Sequence, residues 1–332
     1  MRSPKTTTFK EADARPSACV DALDIAIFRE LMQADVALPF SSNPLRSLRS
    51  IAKRLRVDKD TIRKRIQRLQ RENFLSAPFV FLNPNLVGLS LVQSWADLTP
   101  GSKDDVIGRL RLHDRVVVIS SFLGDTLTFA GLYGVDESVE ALNRILGRTP
   151  GIRQLISARI PFPTSDITLT SKDWKIVQSL QRSPRQSLVS LSHELGVSPR
   201  TARRRLERMI RNRALFVIPG FNPKALDGSV ADLTVFYETD AQKAGTDRRI
   251  MSSLRDNLFH ADLGDATHSF FNFIVNNVAR AQETLNSVQS LPGVSRARLD
   301  FVLERIELTQ HMATLIASRQ PSAEPTLAPE GP

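Results

Sequence analysis

Apolar residues recur along this chain in a helical rhythm and an alternating one, and the whole sequence of rhythms occurs twice. Leu188, Leu191 and Leu195 fall at helical spacing and give a short helix with one apolar face. Gly196 then supplies a left-handed turn, Ser198 caps the next helix, and Pro199 fits its first position, where no amide bond is lost. Ala202, Leu206 and Met209 form a second stripe, so the segment predicts a helix, a tight turn and a helix. Residues 48–75 repeat residues 188–215 without a gap at an offset of 140, with ten of the 28 positions identical. In this first copy Ile62, Ile66 and Leu69 are the stripe and Asp58 is the cap. Arg56 stands where Gly196 stands, and a non-glycine residue takes that turn at a modest cost. Upstream, residues 23–28 resemble residues 172–177, and copy one carries nine extra residues within 34–44.

The second half of each copy changes rhythm. Residues 77–82 and 216–221 are β-branched and aromatic and predict a strand, either a wing or a lead into the next domain. Strands are then expected at 89–98, 116–122, 127–133 and 152–160, with helices at 104–112 and 138–146. The second copy repeats this at 231–238, 248–257, 260–263, 269–275, 279–291 and 294–303. The order is βαββαβ, the ferredoxin-like motif. The expected fold class is α+β: two winged helix-turn-helix domains alternating with two ferredoxin-like domains. The expected boundaries are 19–83, 84–163, 164–222 and 223–312, with aperiodic, disordered tails at 1–18 and 313–332.

Charge sharpens the picture. The chain of 332 residues has a formal net charge of +10. Residues 48–75 carry +7 and residues 188–215 carry +5, so the remaining residues sum to −2. The positive excess therefore lies in the two helix-turn-helix windows, as phosphate binding requires. Helical geometry turns Asp60, Lys64, Gln67 and Arg71 away from the first stripe, with Lys59, Arg63 and Arg68 on its flanks. In the second helix Arg200, Arg204, Glu207 and Arg211 point outward, flanked by Arg203 and Arg208. These thirteen residues are the expected DNA-binding set. Double-stranded DNA is the expected partner, and no membrane partner is expected, because the opposite face lacks Trp or Phe anchors.

Other chemistry is sparse. The single Cys19 makes no internal disulfide, and the five histidines show no metal-ligand spacing. No Ser-His-Asp set, phosphate loop or carboxylate pair points to catalysis. No apolar run approaches membrane-spanning length, and no secretory signal pattern opens the chain, so an intracellular, cytoplasmic protein is expected.

The domain order, the Gly124-Asp125 and Gly264-Asp265 turns, and Pro-Gly before the last strand (Pro150-Gly151-Ile152 and Pro292-Gly293-Val294) together resemble the Lrp/AsnC, or feast/famine, regulators of bacteria and archaea. The resemblance covers residues 20–310, twice over, where members usually carry one unit. It implies a prokaryotic, nucleoid-associated transcription regulator with a domain that dimerises and senses an amino acid or other small molecule, and it implies no cofactor. Effector contacts would fall at Gly124, Asp125, Gly264 and Asp265; the alternative is that these pairs are plain hairpin turns. Homo-oligomer and monomer acting as a pseudo-dimer both stay open. Siroheme decarboxylases share this domain order and form the rival reading, with His260, His268, Phe271 and Asn272 resembling their His- and Arg-rich strand. The spacing differs, however, and no arginine lies between those residues. A DNA-binding scaffold that senses nothing is a third reading.

Overall fold

Each unit begins with three helices: α1 (Ala22–Met32), α2 (Leu48–Leu55) and α3 (Lys59–Arg71) in the first, and α6 (Ser171–Arg182), α7 (Leu188–Glu194) and α8 (Pro199–Arg211) in the second. The computed structural model describes residues 18–32, 48–76, 79–183, 186–263 and 267–318. The segment 34–44 lies outside these, as do 1–17 and 319–332 of the expected tails. The caps form where the sequence places them. Asp58 accepts from the amides of Asp60 and Thr61, and Ser198 accepts from that of Thr201. Arg56 has φ 55° and Gly196 φ 62°, so one left-handed turn serves both units. A second left-handed turn follows each third helix, at Asn73 (φ 60°) and Arg213 (φ 56°).

The segments expected as wings do something more specific. Strands β1 (Phe79–Leu82) and β6 (Leu215–Ile218) pair antiparallel with each other, Phe79 opposite Ile218 and Leu82 opposite Leu215. They make a two-stranded bridge between the units.

The first ferredoxin-like domain comprises β2 (Leu89–Leu98), α4 (Lys103–Leu112), β3 (Val116–Phe122), β4 (Thr126–Gly134), α5 (Val139–Leu146) and β5 (Ile152–Ile160). The second comprises β7 (Ser229–Tyr237), α9 (Asp240–Ser253), β8 (Leu258–Asp262), β9 (His268–Val275), α10 (Val278–Gln289) and β10 (Val294–Glu307), followed by α11 (Thr309–Ser318). The strands run in the order β5-β2-β4-β3-β10-β7-β9-β8. The long β10 joins the halves. It pairs with β7 up to Val302, shifts register before Glu304, and continues along β3.

This eight-stranded sheet is not flat. Trp95 on β2 stacks on Phe270 of β9 with ring centroids 4.5 Å apart. Five strand spacings separate β2 from β9, and at about 4.8 Å each a flat sheet would hold them roughly 24 Å apart. The halves therefore fold face to face across β10. Strand alternation sorts the side chains accordingly. Leu91, Gln93 and Trp95 of β2 face the opposite half, whereas Val92 and Ala96 join α4 and α5 in a separate core. On β9, Phe270 and Asn272 face inward, while Phe271 and Phe273 pack with Ile250 of α9 and Ala281 of α10.

The helix-turn-helix domains pack crosswise. Phe28 of α1 meets Phe221 and Phe259 from the second unit, and Arg29 Nε donates to the carbonyl of Leu258 at 2.7 Å. Trp174, Val177 and Leu180 of α6 share a core with Phe79, Val80 and Trp95 of the first unit.

Three expectations need correction. The helix expected at 248–257 begins at Asp240 and ends at Ser253, because its buried face carries Lys243, Thr246 and Asp247 beside Ile250 and so shows no apolar rhythm. The last strand runs to Glu307 rather than 303, its extension being satisfied by β3. The expected tails also overreach. Ala18 is fully buried and bridges to Leu226, and α11 buries Met312 and Ile316 against the core shared with α6.

Because Arg56 holds a left-handed turn with a Cβ, Arg56→Gly is expected to stabilise the first helix-turn-helix by about 0.5–1 kcal/mol, the relief of strain exceeding the added chain entropy. Chemical denaturation checks this, and a lower midpoint would contradict it.

Candidate nucleic-acid interface and the cavity between the sheets

Two carboxylates set the orientation of the third helix in each unit. Asp173 of α6 is fully buried and closes a capping box with Thr170, whose amide donates to Asp173 Oδ2 at 2.9 Å. From α8, Arg205 Nη1 reaches Asp173 Oδ1 at 3.1 Å and Arg208 Nη2 reaches Oδ2 at 2.6 Å. Burial alone would push the Asp173 carboxyl up, but the bonds from Thr170 and Arg205 and the charge of Arg208 hold it below its ordinary value. The first unit repeats the arrangement. Asp24 of α1 is fully buried, exchanges backbone bonds with Asp21, and takes Arg65 at 3.1 Å and Arg68 from α3.

The clasp corrects two members of the expected DNA-binding set. Arg68 and Arg208 turn back onto α1 and α6, because each lies one turn from the residue that faces the buried carboxylate. Glu207 is half-buried rather than outward. The other expected positions are exposed: Lys59, Asp60, Arg63, Lys64, Gln67 and Arg71 on α3, and Arg200, Arg203, Arg204 and Arg211 on α8. The two faces differ in charge. On α3 the Asp60 carboxylate holds Arg63 Nη1 at 2.6 Å and partly neutralises it, and α8 has no acidic residue in its first turn.

The Gly124-Asp125 turn has a mechanical role. Gly124 has φ 77° and its carbonyl accepts from Lys103 Nζ, which also bonds the carbonyl of Phe122 at 2.6 Å. Asp125 caps the end of β2 through its own carbonyl, which accepts from the Leu98 amide at 2.8 Å. Gly264 and Asp265 lie outside the described residues. The preceding strand end is held by Lys243 Nζ, which bonds the Leu263 carbonyl, Ser269 Oγ at 2.6 Å and Asp247 Oδ2 at 2.8 Å.

Sequence reasoning missed a cavity of about 150 Å³ between the two sheet halves. The first unit lines it with Gln93, Ser120 and Thr128 from β2, β3 and β4, and the second with Asp232, His260 and Asn272 from β7, β8 and β9. Arg305 of β10 is its cation among the described residues. Asp232 and Asn272 are cross-strand partners, as are Asn272 and His260, so the three form one polar row. Burial and the neighbouring Asp300 push the Asp232 carboxyl up to about 7. Burial and Arg305 push His260 down to about 4, leaving it neutral at pH 7. Of the residues compared with siroheme decarboxylases, His260 and Asn272 share this cavity and Arg305 supplies the arginine absent from their strand. Phe271 lies in the helix-facing core, and the buried His268 packs against Trp95 and Phe270. Alternation along β7 and β9 was the available signal: Asp232 and Asn272 fall on the same face as Val230 and Phe270.

Among the described residues no cluster of three His, Cys, Asp or Glu is placed to hold a metal ion, and no helix is long and apolar enough to cross a membrane.

Residues 169–210 match the AsnC-type helix-turn-helix domain. The chain is similar in structure to the siroheme decarboxylase NirDL solved with an iron-uroporphyrin III analogue, with TM-score 0.54 and 11% identity over 89% of this chain and 98% of that one. At that identity the likeness establishes a common α+β fold. AsnC of E. coli aligns with 42% of this chain and 94% of its own at 21% identity and TM-score 0.33. A transcriptional regulator from Neisseria meningitidis in complex with L-Met aligns with 41% of this chain and 91% of its own, at 23% identity and TM-score 0.33. No curated protein matches the sequence.

Asp173→Asn is expected to destabilise the second helix-turn-helix by about 2–3 kcal/mol, since two guanidinium groups lose their shared buried counter-charge. The acid limb follows the same group. With the folded pKa below the unfolded one, its contribution is complete above the unfolded value of about 3.9 and is lost as pH falls through the lowered folded value. The difference in denaturation midpoint between wild type and Asp173→Asn should therefore narrow as pH falls below the unfolded value. A gap unchanged there would show that Asp173 acts otherwise.

Proposed function

We propose that the protein is a sequence-specific DNA-binding transcription regulator of the Lrp/AsnC type in which one chain supplies two unlike readers. The observation that carries this reading is the division of labour on α3 and α8. Two arginines of each helix are spent on a buried aspartate, and the remaining cations are exposed on the outer face of a domain whose second copy matches an AsnC-type helix-turn-helix. The exposed cations are suited to phosphates, and the differing outward side chains to base edges in the major groove. Asp60 opposes a phosphate but accepts from a cytosine amine, whereas Arg200 and Arg204 suit phosphate or guanine. Unlike readers favour an asymmetric site, with half-sites one or more helical turns apart. The reading includes a small-molecule effector, and the inter-sheet cavity is a better place for it than the Gly124-Asp125 turn, whose carbonyls are already engaged.

A siroheme decarboxylase-like enzyme is the second reading, favoured by the meeting of His260, Asn272 and Arg305 in one cavity. The space of about 150 Å³ matches a group near benzene in bulk. An absorbance titration with siroheme tests the second reading, and a saturable spectral shift abolished by His260→Ala would favour the enzyme.

Replacing Arg200 and Arg204 together with Ala is expected to weaken binding at one half-site by roughly tenfold or more while leaving the unfolding free energy within about 0.5 kcal/mol of wild type. Footprinting across a salt series checks this, and the variant should also lower the salt slope by about two. Equal losses at both half-sites, or a palindromic footprint, would contradict the assignment.

A further inference from the structure

The inter-sheet cavity has a chemistry that its surroundings do not satisfy. Asp232 Oδ1 and His260 Nδ1 are covered from solvent and have no hydrogen-bond partner. Buried polar atoms in native proteins are paired in the great majority of cases, and an unpaired one costs about 1–3 kcal/mol. Two such atoms on one row beside an unfilled space mark a place built to receive something.

The polarity of that something follows from which groups are already engaged. Arg305 Nε donates to Glu307 Oε1 at 3.2 Å, and its guanidinium lies 5.5 Å from the Phe221 ring centroid. Arg298, on the same strand, is divided between Asp300 at 2.6 Å and Asp97 at 3.1 Å. Each of these cations thus has an acidic partner, Glu307 for Arg305 and Asp300 with Asp97 for Arg298. Asp232 is in the opposite position. Asn272 bonds its carboxylate, Asp300 lies across from it on β10, Arg298 and Arg305 act on it only through space, and Oδ1 is left over. The free valence is an acceptor, and it favours a donor that carries positive charge. Around it the walls are apolar and aromatic, with Trp95, Phe259 and Phe270 among them.

We propose that this cavity is a binding site for a small organic amine, its protonated nitrogen held by Asp232 and its compact aromatic or apolar body enclosed by Trp95, Phe259 and Phe270. This gives a chemical class to the effector in the reading above, yet the site stands apart from DNA binding and is tested without DNA.

Because the empty cavity holds the Asp232 carboxyl near 7, a cationic ligand must displace its proton at lower pH. Benzylamine and benzoate are suitable probes of matched bulk, titrated against the full-length protein by NMR. Benzylamine is expected to bind at least tenfold tighter than benzoate. Its affinity should be about tenfold weaker at pH 6 than at pH 8, because ionising Asp232 costs one proton below its pKa. Asp232→Asn should lower the affinity at least tenfold and abolish that pH dependence. Should the variant unfold, the pH series on wild type and the benzoate comparison still decide. Benzoate binding as well as benzylamine, no binding of benzylamine, or an affinity flat between pH 6 and 8 would each overturn the proposal. Duplex binding by wild type and variant, measured separately, reports on the regulator reading alone.

Discussion

A buried aspartate clasped by two arginines recurs in each half of this molecule, and much else depends on it. Asp24 and Asp173 are fully enclosed, yet each serves its own helix as a capping acceptor and receives two guanidinium groups from the third helix. Removing a carboxylate from water is costly, and attraction offsets the cost only when its lone pairs are well satisfied. Here the arginines keep part of their side chains in solvent, about a quarter to two-fifths by side-chain area, so only one member of each cluster is fully desolvated. The result fixes the rotation of α3 and α8 about their axes. A stripe of Leu and Ile alone would tolerate some rolling, whereas hydrogen bonds to a fixed carboxylate do not. The positions left outward are thereby chosen by the inward pair.

Rotation is one coordinate, and the separation of the two helices is another. The crosswise packing supplies it. The first helix-turn-helix sits on the second ferredoxin-like domain through Phe28, Phe221 and Phe259, the second shares a core with the first unit, and β1 pairs with β6 between them. Neither unit completes its own surroundings. Fusion makes that exchange intramolecular, so no concentration is needed to assemble it. The two third helices are thereby held by the same framework.

Much of this was legible in the residues and part was not, for identifiable reasons. The helix-turn-helix units were readable because caps, left-handed turns and apolar stripes are local, and Arg56 at φ 55° confirms the reading of the least regular of them. The βαββαβ order was readable because strand alternation is local too. What was hidden is nonlocal or polar. The α9 helix buries Lys243 and Asp247, which mutually satisfy each other and Tyr237, so hydropathy gave no sign of its start. Arg68 and Arg208 lie on the flanks of a helical wheel, and only the acid on another helix shows that they turn in. The cavity needed β10 to bend two sheet halves together, which no single segment encodes.

The lining of that cavity shows what fusion permits. In a pair of identical chains, any group placed on the inner face of one sheet appears on the other as well. Two copies of a buried acid facing one space would each raise the other's pKa, and the pair would resist ionising together. A fused chain escapes that constraint, since its halves vary independently. Here β2, β3 and β4 contribute the neutral Gln93, Ser120 and Thr128, while the corresponding strands β7, β8 and β9 contribute Asp232, His260 and Asn272. Titratable chemistry is thus confined to one side and neutral hydrogen-bonding groups to the other, giving the cavity a direction that a symmetric dimer could not have. The same freedom governs the outer surface, where α3 carries Asp60 against Arg63 and the first turn of α8 is free of acid. Both surfaces diverge while the clasp around each buried aspartate is kept in duplicate.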